Sequence, residues 1–267
     1  RWVLDRGVPR FSLQYLFTGY IGSCVDITMR KQAEEALQLA DRRKDEFLAT
    51  LAHELRNPLA PISHALHILK LPGTEKTRCE EALDIMDRQL RHLRRLVDDL
   101  LDVSRISHGK IELRKQPIIL AEAIHMALET ARPVIDAGGH ALSVKLPQEA
   151  LWLNADLTRL AQIFSNLLTN AAKYTGQGGR IWLDASVTDN DLTVAVRDTG
   201  VGIASDMLLR VFDMFIQIDT SIERTRGGLG IGLTLVRTLV ELHGGRVTAR
   251  SNGSGQGSEF IVRLPLI

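Results

Sequence analysis

Residues 83 to 100 carry an unbroken three-four alternation of apolar side chains within a charged segment. The alternation predicts a long helix with a narrow seam of the coiled-coil type, formed by Leu83, Met86, Leu90, Leu93, Val97 and Leu100. A second helical pattern runs from Met29 to about Lys70, and the loop LPGTE separates the two. We expect an antiparallel hairpin that leaves apolar surface uncovered, so that two hairpins form a four-helix bundle in a homodimer.

The composition allows about two folded domains and excludes some partners. The 267 residues are 45% hydrophobic and 24% charged, and their formal net charge is +1. No overall field favours nucleic acid or an anionic membrane, so we expect neither as a partner. Cys24 and Cys79 match no metal-binding spacing, which favours reduced thiols. No apolar run has the length of a membrane span and Arg1 opens no signal peptide, so we expect a soluble, cytoplasmic segment whose parent protein could carry an anchor upstream.

The first 28 residues contain two predicted strands, RWVLDRGVP and YIGSCVDIT, joined by a polar link. Two strands do not close a core. The stretch resembles the last two strands of a PAS sensor domain, including the ending Asp26-Ile27-Thr28 that leads into a helix. Thr28 as a simple helix cap is an equal alternative.

After residue 110 the pattern changes to mixed strands and helices. KIELRKQPIIL, RIWLDASV and LTVAVRD are predicted strands, and helices are expected at about 121–137, 156–173 and 231–243. Strands and helices without regular parallel-sheet repeats favour a two-layer α/β sandwich of the α+β kind, formed as one domain.

The segment HELRNP places a histidine beside a glutamate in the first helix. At about 100° per residue the apolar seam points away from His53, which predicts an exposed imidazole, with Asn57 on the same face and Glu54 at the side. A neutral imidazole can attack an electrophile through one nitrogen while Glu54 takes the proton from the other. Pro58 and Pro61 each remove a helical hydrogen bond, so bending is easy there. Taken alone, a plain surface histidine would be the preferred interpretation.

Three segments of the second domain are candidate nucleotide contacts. NLLTNAAKYT puts Asn166, Asn170 and Lys173 on one helical face, where amide oxygens suit a hard cation and the lysine suits phosphate. An ordinary solvated face is an equal alternative. DTGVGI ends a strand with Asp198 and two glycines that allow close approach of a ligand, or form only a turn. RGGLGIGL precedes a helix whose N-terminus could receive phosphates, but it lacks the P-loop ending and fits a dinucleotide fingerprint poorly.

In their order and spacing these segments resemble a bacterial sensor histidine kinase over residues 29 to 267. HELRNP, the asparagine helix, DTGVGI, FDMF, the glycines up to Gly232 and GQGSEF carry the resemblance, and FLATLAHELRNPLAPI especially resembles hybrid kinases with a receiver domain after the ATP domain. The resemblance implies a dimeric phosphoacceptor hairpin and a Bergerat-type ATP-binding domain shared with gyrase, heat-shock and mismatch-repair ATPases. It also implies ATP and Mg²⁺ as cofactors and a response regulator receiver domain as partner.

The motif match assigns roles on the hairpin. His53 would be the phosphorylated residue and Glu54 its proton acceptor. Asn57 would orient water for removal of phosphate from the regulator, since positioning is much of what phosphoryl-transfer catalysis requires. A plain solvated asparagine before Pro58 is the alternative.

The same match assigns the nucleotide site. Asn170 would bind Mg²⁺ with Asn166 in support, Lys173 would face the phosphates, Tyr174 would flank the nucleotide, and Asp198 would accept from the adenine amino group. The pocket and its lid would be shaped by Gly200, Gly202, Gly228, Gly230 and Gly232.

The chain departs from the family pattern at two places. Met214 stands where proline is common, and the lid glycines are Gly-Gly-Leu-Gly where Gly-Thr-Gly-Leu-Gly is common, which bears on lid dynamics. The expected domains are PAS-like strands at 1–28, a signalling helix at 29–45, a dimerisation and phosphotransfer domain at 46–109 and an ATP-binding domain at 110–267. Two rival functions are a nucleotide-binding scaffold without kinase activity and an ATPase of the gyrase or heat-shock type, which would lack the histidine hairpin.

Overall fold

The computed structural model describes residues 1–71, 75–107, 112–188, 191–214 and 230–267. They divide into two compact units, Arg1–Ala52 and His53–Ile267. The first unit holds a β-hairpin and the start of a long helix, and the second holds the rest of that helix, another long helix and the α/β layers.

The hairpin of the first unit confirms the two predicted strands. β1 (Val3–Phe11) pairs antiparallel with β2 (Phe17–Asp26). Apolar side chains stay exposed on both faces, as at Val8 (60% exposed) and Tyr20 (72%). Two strands alone offer each other too little surface to bury these side chains.

Two long helices follow, as the sequence predicts: α1 (Thr28–Lys70) and α2 (Lys76–Ser107). Both prolines of HELRNPLAPI lie inside α1, which continues through them. In the second unit these helices bury few apolar side chains, among them Ala65, Ala82 and Leu96. Several of their larger side chains are between 42% and 54% exposed: Leu59, Leu66, Leu83, Leu90 and Val97. No helix in the part of the chain that the structure describes is long and apolar enough to cross a membrane.

The rest of the second unit is the predicted two-layer α/β sandwich. Its strands are β3 (Gln116–Ile119), β4 (Ala141–Lys145), β5 (Trp152–Ala155), β6 (Arg180–Thr188), β7 (Asp191–Asp198), β8 (Arg246–Arg250) and β9 (Glu259–Pro265). Its helices are α3 (Leu120–Ala137), α4 (Leu157–Tyr174) and α5 (Gly232–Leu242). Five strands form one sheet in the order β4-β6-β7-β9-β8, with β4 parallel to β6 and the other neighbours antiparallel.

The core lies between the sheet and the helices. α4 and α5 pack against the sheet, and α3 packs against α4. Leu192, Val194 and Val196 alternate along β7 toward this core and are at most 1% exposed. Alternation of buried and less buried positions is what a sheet covered by helices on one face requires.

One strand prediction is wrong in part. KIELRKQPIIL was expected to be a strand throughout, but residues 112–115 have no regular structure and only Gln116–Ile119 pair, with β5. The backbone N–H of Arg114 donates to the Asp156 carboxylate at 3.0 Å instead of to a neighbouring strand. A side chain far along the chain thus satisfies this backbone group, and the paired strand begins only at Gln116.

A buried histidine fixes the start of α4 to the end of α5. The Nδ1 of His243 lies 2.7 Å from the Leu239 carbonyl oxygen, and its Nε2 accepts from the backbone N–H of Asp156 at 3.1 Å. Burial lowers the pKa of His243, which favours the neutral ring with its proton on Nδ1. Asp156 in turn caps α4 by accepting from the Arg159 N–H at 3.1 Å. The helix that carries the candidate asparagine face is therefore held at its first turn.

Candidate functional site

The predicted phosphoacceptor face lies on α1. His53 and Asn57 are exposed, as expected, and Glu54 is half-buried. Pro58, one turn after Glu54, is buried, so the proline ring serves packing as well as removing a hydrogen bond. The segment presents an imidazole and an amide to solvent with a carboxylate beside them.

Asp198 lies at the end of β7 and is 5% exposed. Its Oδ1 accepts from the backbone N–H of Gly200 at 2.7 Å and more weakly from that of Ser258 at 3.3 Å, and its Oδ2 accepts from the Ser258 hydroxyl at 2.5 Å. Desolvation raises the pKa of Asp198, and these hydrogen bonds offset part of the rise. An ionised carboxylate has about four acceptor positions, so Asp198 retains capacity on Oδ2 for a ligand donor.

The loop after Asp198 packs tightly against the end of α4. The backbone N–H of Val201 donates to the Tyr174 carbonyl oxygen at 3.1 Å. A Cβ atom at Gly200 would lie 2.4 Å from that oxygen and 2.7 Å from Asp198 Oδ1, so only glycine fits there. The structure therefore brings Tyr174, Asp198 and Gly200 together.

A second loop, at residues 251–258, binds Asp198 and the DTGVGI loop. Asp198 and the DTGVGI loop are called the floor of the site. The Ser251 hydroxyl accepts from the backbone N–H of Ile203 at 2.9 Å and donates to the Gly257 carbonyl oxygen at 2.7 Å. Gly202 has φ +72°, and a Cβ atom there would lie 2.1 Å from the Gly253 carbonyl oxygen. The sequence motif GQGSEF marked this loop, but nothing in it indicated that Ser258 or Ser251 would bind the DTGVGI loop.

The asparagine face of α4 borders this floor. Asn166, Asn170, Lys173 and Tyr174 are all half-buried. The Lys173 Nζ lies 5.1 Å from the centre of the Tyr174 ring. The Nδ2 of Asn166 is buried without a hydrogen-bond acceptor, so a bound polar molecule would have a donor to meet. Among the described residues no group of three or more His, Cys, Asp or Glu could hold a metal ion, and a divalent cation would depend on amide and ligand oxygens.

The glycine-rich segment is described only at its end. Gly230 has φ +67°, and Gly232 is the first residue of α5. Gly228 and the second phenylalanine of FDMF lie outside the described residues. Phe212, the first phenylalanine, is 6% exposed and packs edge-to-face on Phe260 at 6.1 Å between ring centres.

Two family models match the chain. The "His Kinase A (phospho-acceptor) domain" matches residues 43–109, and the "Histidine kinase-, DNA gyrase B-, and HSP90-like ATPase" model matches residues 155–267. The first match contains the exposed imidazole of α1, and the second contains the Asp198 floor and the asparagine face.

Several relatives are similar over most of this chain. A sensor-like histidine kinase of Rhizobium meliloti is 36% identical over 88% of this chain and 46% of its own length. The autoinducer 2 sensor kinase/phosphatase LuxQ of Vibrio parahaemolyticus is 34% identical over 93% of this chain and 30% of its own length. The circadian input-output histidine kinase CikA of Synechococcus elongatus is 38% identical over 85% and 31%. The chain thus spans less than half the length of these relatives.

Two solved structures share the architecture. ShkA, in complex with AMPPNP, is 31% identical with a TM-score of 0.59, covering 83% of this chain and 46% of that chain. ThkA, in complex with the response regulator protein TrrA, has a TM-score of 0.56 and covers 98% of this chain and 75% of that chain, and at 24% identity it supports the fold alone.

Proposed function

Because the chain belongs to the sensor histidine kinase family, we propose that it transfers the γ-phosphoryl group of ATP to His53 and then to an aspartate of a response regulator. The observation that carries the proposal is the pairing of an exposed histidine in the phosphoacceptor match with a buried carboxylate floor in the ATPase match. Neither feature alone would distinguish a kinase from an ATPase.

The floor around Asp198 provides the nucleotide site. Asp198 accepts from the exocyclic amine of adenine and Tyr174 flanks the base. Gly200 and Gly202 shape the pocket by letting the DTGVGI loop pack closely on the carbonyl oxygens of Tyr174 and Gly253. Lys173 faces the phosphates as a point charge. Gly230 and Gly232 shape the start of α5, whose N-terminal amides suit anionic oxygen atoms. The proposed role of Gly228 in the lid concerns a residue outside the described ones. ShkA, which is 31% identical to this chain, has been solved in complex with the ATP analogue AMPPNP, which supports this assignment.

Mg²⁺ fits the donors that this site offers. A hard cation prefers oxygen ligands, and Asn170 provides an amide oxygen next to the phosphate-facing lysine, with Asn166 in support. When bound, the cation neutralises charge on the phosphate oxygens. The protein itself orients the nucleotide between α4 and the DTGVGI loop.

At the hairpin, a ring nitrogen of His53 forms a bond to the γ-phosphorus while the bond from that phosphorus to the bridging oxygen of ADP breaks. The proton on the other ring nitrogen passes to Glu54, as a general base. Asn57 orients water during removal of phosphate from the regulator. The sandwich contributes orientation and electrostatic stabilisation, which dominate phosphoryl transfer.

The larger assembly is proposed from the same premise. The domains are PAS-like strands at 1–28, a signalling helix at 29–45, the dimerisation and phosphotransfer domain at 46–109 and the ATP-binding domain at 110–267. Two hairpins form a four-helix bundle in a homodimer, and a receiver domain, in trans or later in the parent protein, accepts the phosphoryl group. Use of ATP assigns this part of the protein to the cytoplasm.

The rival is a dimeric scaffold that binds nucleotide only to change shape, and labelled ATP separates the two. Purified chain is incubated with γ-labelled ATP, and the label is tested for loss in acid and persistence in base, as expected for phosphohistidine. His53→Gln should abolish labelling and retain ATP binding. His64→Gln, at another exposed position of α1, should be labelled like the unmodified chain. ATP binding without any acid-labile label would favour the scaffold.

A further inference from the structure

The end of α2 is held to the start of α4 by three side chains. Arg159 Nη1 donates to Asp102 Oδ2 at 2.7 Å and to Gln162 Oε1 at 2.7 Å. Gln162 Nε2 donates to the same Asp102 oxygen at 2.9 Å. Each of the three residues thus contacts the other two, across 57 and 60 positions of sequence.

The Asp102 side chain is only 7% exposed, and that of Arg159 is 22% exposed. A substitution that removes one partner leaves the buried carboxylate with its desolvation cost, whereas separation of the sandwich from α2 returns both side chains to water. Beside the cluster, an open groove of about 900 Å³ runs between α2 and the sandwich, with Asp98 and Leu101 on one wall and Met126 and Ser165 on the other. At this point α2 and the sandwich are therefore joined by hydrogen bonds and an ion pair more than by apolar packing.

The sandwich rests on α2 and leaves the phosphoacceptor free. α5 also packs against α2. His53 is exposed, and no hydrogen bond or ion pair of His53, Glu54 or Asn57 reaches the sandwich in the residues that the structure describes. The arrangement held by the cluster is thus one in which the chain's own nucleotide site is not engaged with its own histidine.

We propose that Asp102, Arg159 and Gln162 form a positioning contact that holds the ATP-binding domain on α2 in a resting arrangement, and that its release precedes phosphorylation of a histidine. The inference rests on the proposed function, because it concerns how the nucleotide reaches His53. The same imidazole must meet ATP and afterwards a receiver domain, so the ATP-binding domain has to move. The contact involves the first turn of α4 and lies close to residues 112–116, where the chain enters the sandwich. At this position it can control the movement of the ATP-binding domain.

The test uses the complete chain with Asp102→Asn, which keeps the side-chain size and removes the charge. Autophosphorylation at saturating ATP should rise about fivefold or more, within the usual range of coupling between two sites, while the KM for ATP stays unchanged. Asp98→Asn, an exposed position one turn earlier on α2, is the matched control and should leave the rate unaltered. Arg159→Gln should act in the same direction as Asp102→Asn, and the double variant should add nothing further.

A distance measurement tests the contact without using activity. Spin labels at Arg88→Cys on α2 and Glu149→Cys in the sandwich, with both native cysteines replaced by serine and labelled chains diluted with unlabelled ones, should give one narrow distance in the unmodified cluster. Asp102→Asn or the milder Gln162→Leu should broaden that distribution. A broadened distribution with an equal or lower phosphorylation rate would overturn the resting role, and an unchanged distribution would overturn the contact itself. Absence of phosphohistidine in every chain would instead reject the proposed function, and the distances would still decide the contact.

Discussion

At the scale of single residues, Asp198 carries a charge into a nearly closed site. Three donors, from Gly200 and Ser258, reach its carboxylate, and they do not fully offset the loss of water, because the pKa remains above its ordinary value. The residual acceptor capacity is what a ligand amine can use. Burial of this carboxyl group thus costs stability, and in the proposed function nucleotide binding would offset that cost.

The pH dependence of stability should reveal this cost. Since the folded state holds the Asp198 proton more tightly than the unfolded chain does, the carboxyl group stabilises the fold below its ordinary pKa of 3.8, and this contribution is lost as pH rises through the raised value. We therefore expect the difference in unfolding free energy between Asp198→Asn and the unmodified chain to grow in favour of the variant from about pH 4 toward pH 7.

Urea unfolding at several pH values measures that difference, and titration with ATP at pH 7 gives the affinity of each chain. The variant should bind ATP more weakly by about 1 to 3 kcal/mol, because a buried acceptor is lost. A stability difference that is flat with pH would mean that the carboxyl group titrates normally in the fold.

At the scale of elements, the hydrophobic periodicity of the sequence was enough to predict the longer helices and strands. The three-four seam predicted α2, and the α4 and α5 helices begin and end within about one or two residues of the expected positions. The strand RIWLDASV was also correct. Strands β4, β5 and β8 are four or five residues long, and alternation over so few positions is too short to identify from sequence.

Contacts between distant segments could not be predicted in the same way. The Asp198–Ser258 and Asp102–Gln162 bonds each span 60 positions, and the Asp156–His243 bond spans 87. Such pairs depend on the tertiary arrangement, which no local pattern encodes. The motifs therefore singled out Asp198 and the glycines of DTGVGI, but they could not indicate which distant side chains bind that segment.

The DTGVGI loop offers a test at this scale. Gly200 is not in the left-handed region, so its requirement is one of space: a Cβ atom would lie 2.4 Å from the Tyr174 carbonyl oxygen. Gly200→Ala should separate the loop from the end of α4, lower the stability by about 1 to 3 kcal/mol and weaken ATP binding. Thermal unfolding and ATP titration measure both effects.

Gly176→Ala is the matched control, because a Cβ atom there meets nothing within 4 Å and its φ is not positive. It should leave both the melting temperature and the ATP affinity close to those of the unmodified chain. Equal effects of the two substitutions would show that the space around Gly200 is not what the loop requires.

At the scale of the whole molecule, the sandwich has a closed core and the helical hairpin does not. Leu160, Leu183 and Leu192 are fully buried in the sandwich, whereas Leu83 and Leu90 of α2 are 54% and 51% exposed. Burial of apolar area contributes roughly 25 cal/mol per Å² to stability. Burying the exposed leucines of α2 against a partner would therefore stabilise the assembly substantially. A second hairpin laid against the first would use it, since four-helix bundles are built from such seams.

Leu90→Glu should therefore convert the dimer into a monomer, because a carboxylate within the seam would have to be buried without a partner. Thr77→Glu, which adds the same charge at an exposed position in the first turn of α2, should remain dimeric. Sedimentation of both variants over a range of concentrations gives the oligomeric state, and ATP titration should give equal affinities because the sandwich folds around its own core. If Leu90→Glu stays dimeric at concentrations where Thr77→Glu does, the dimer interface does not involve this seam.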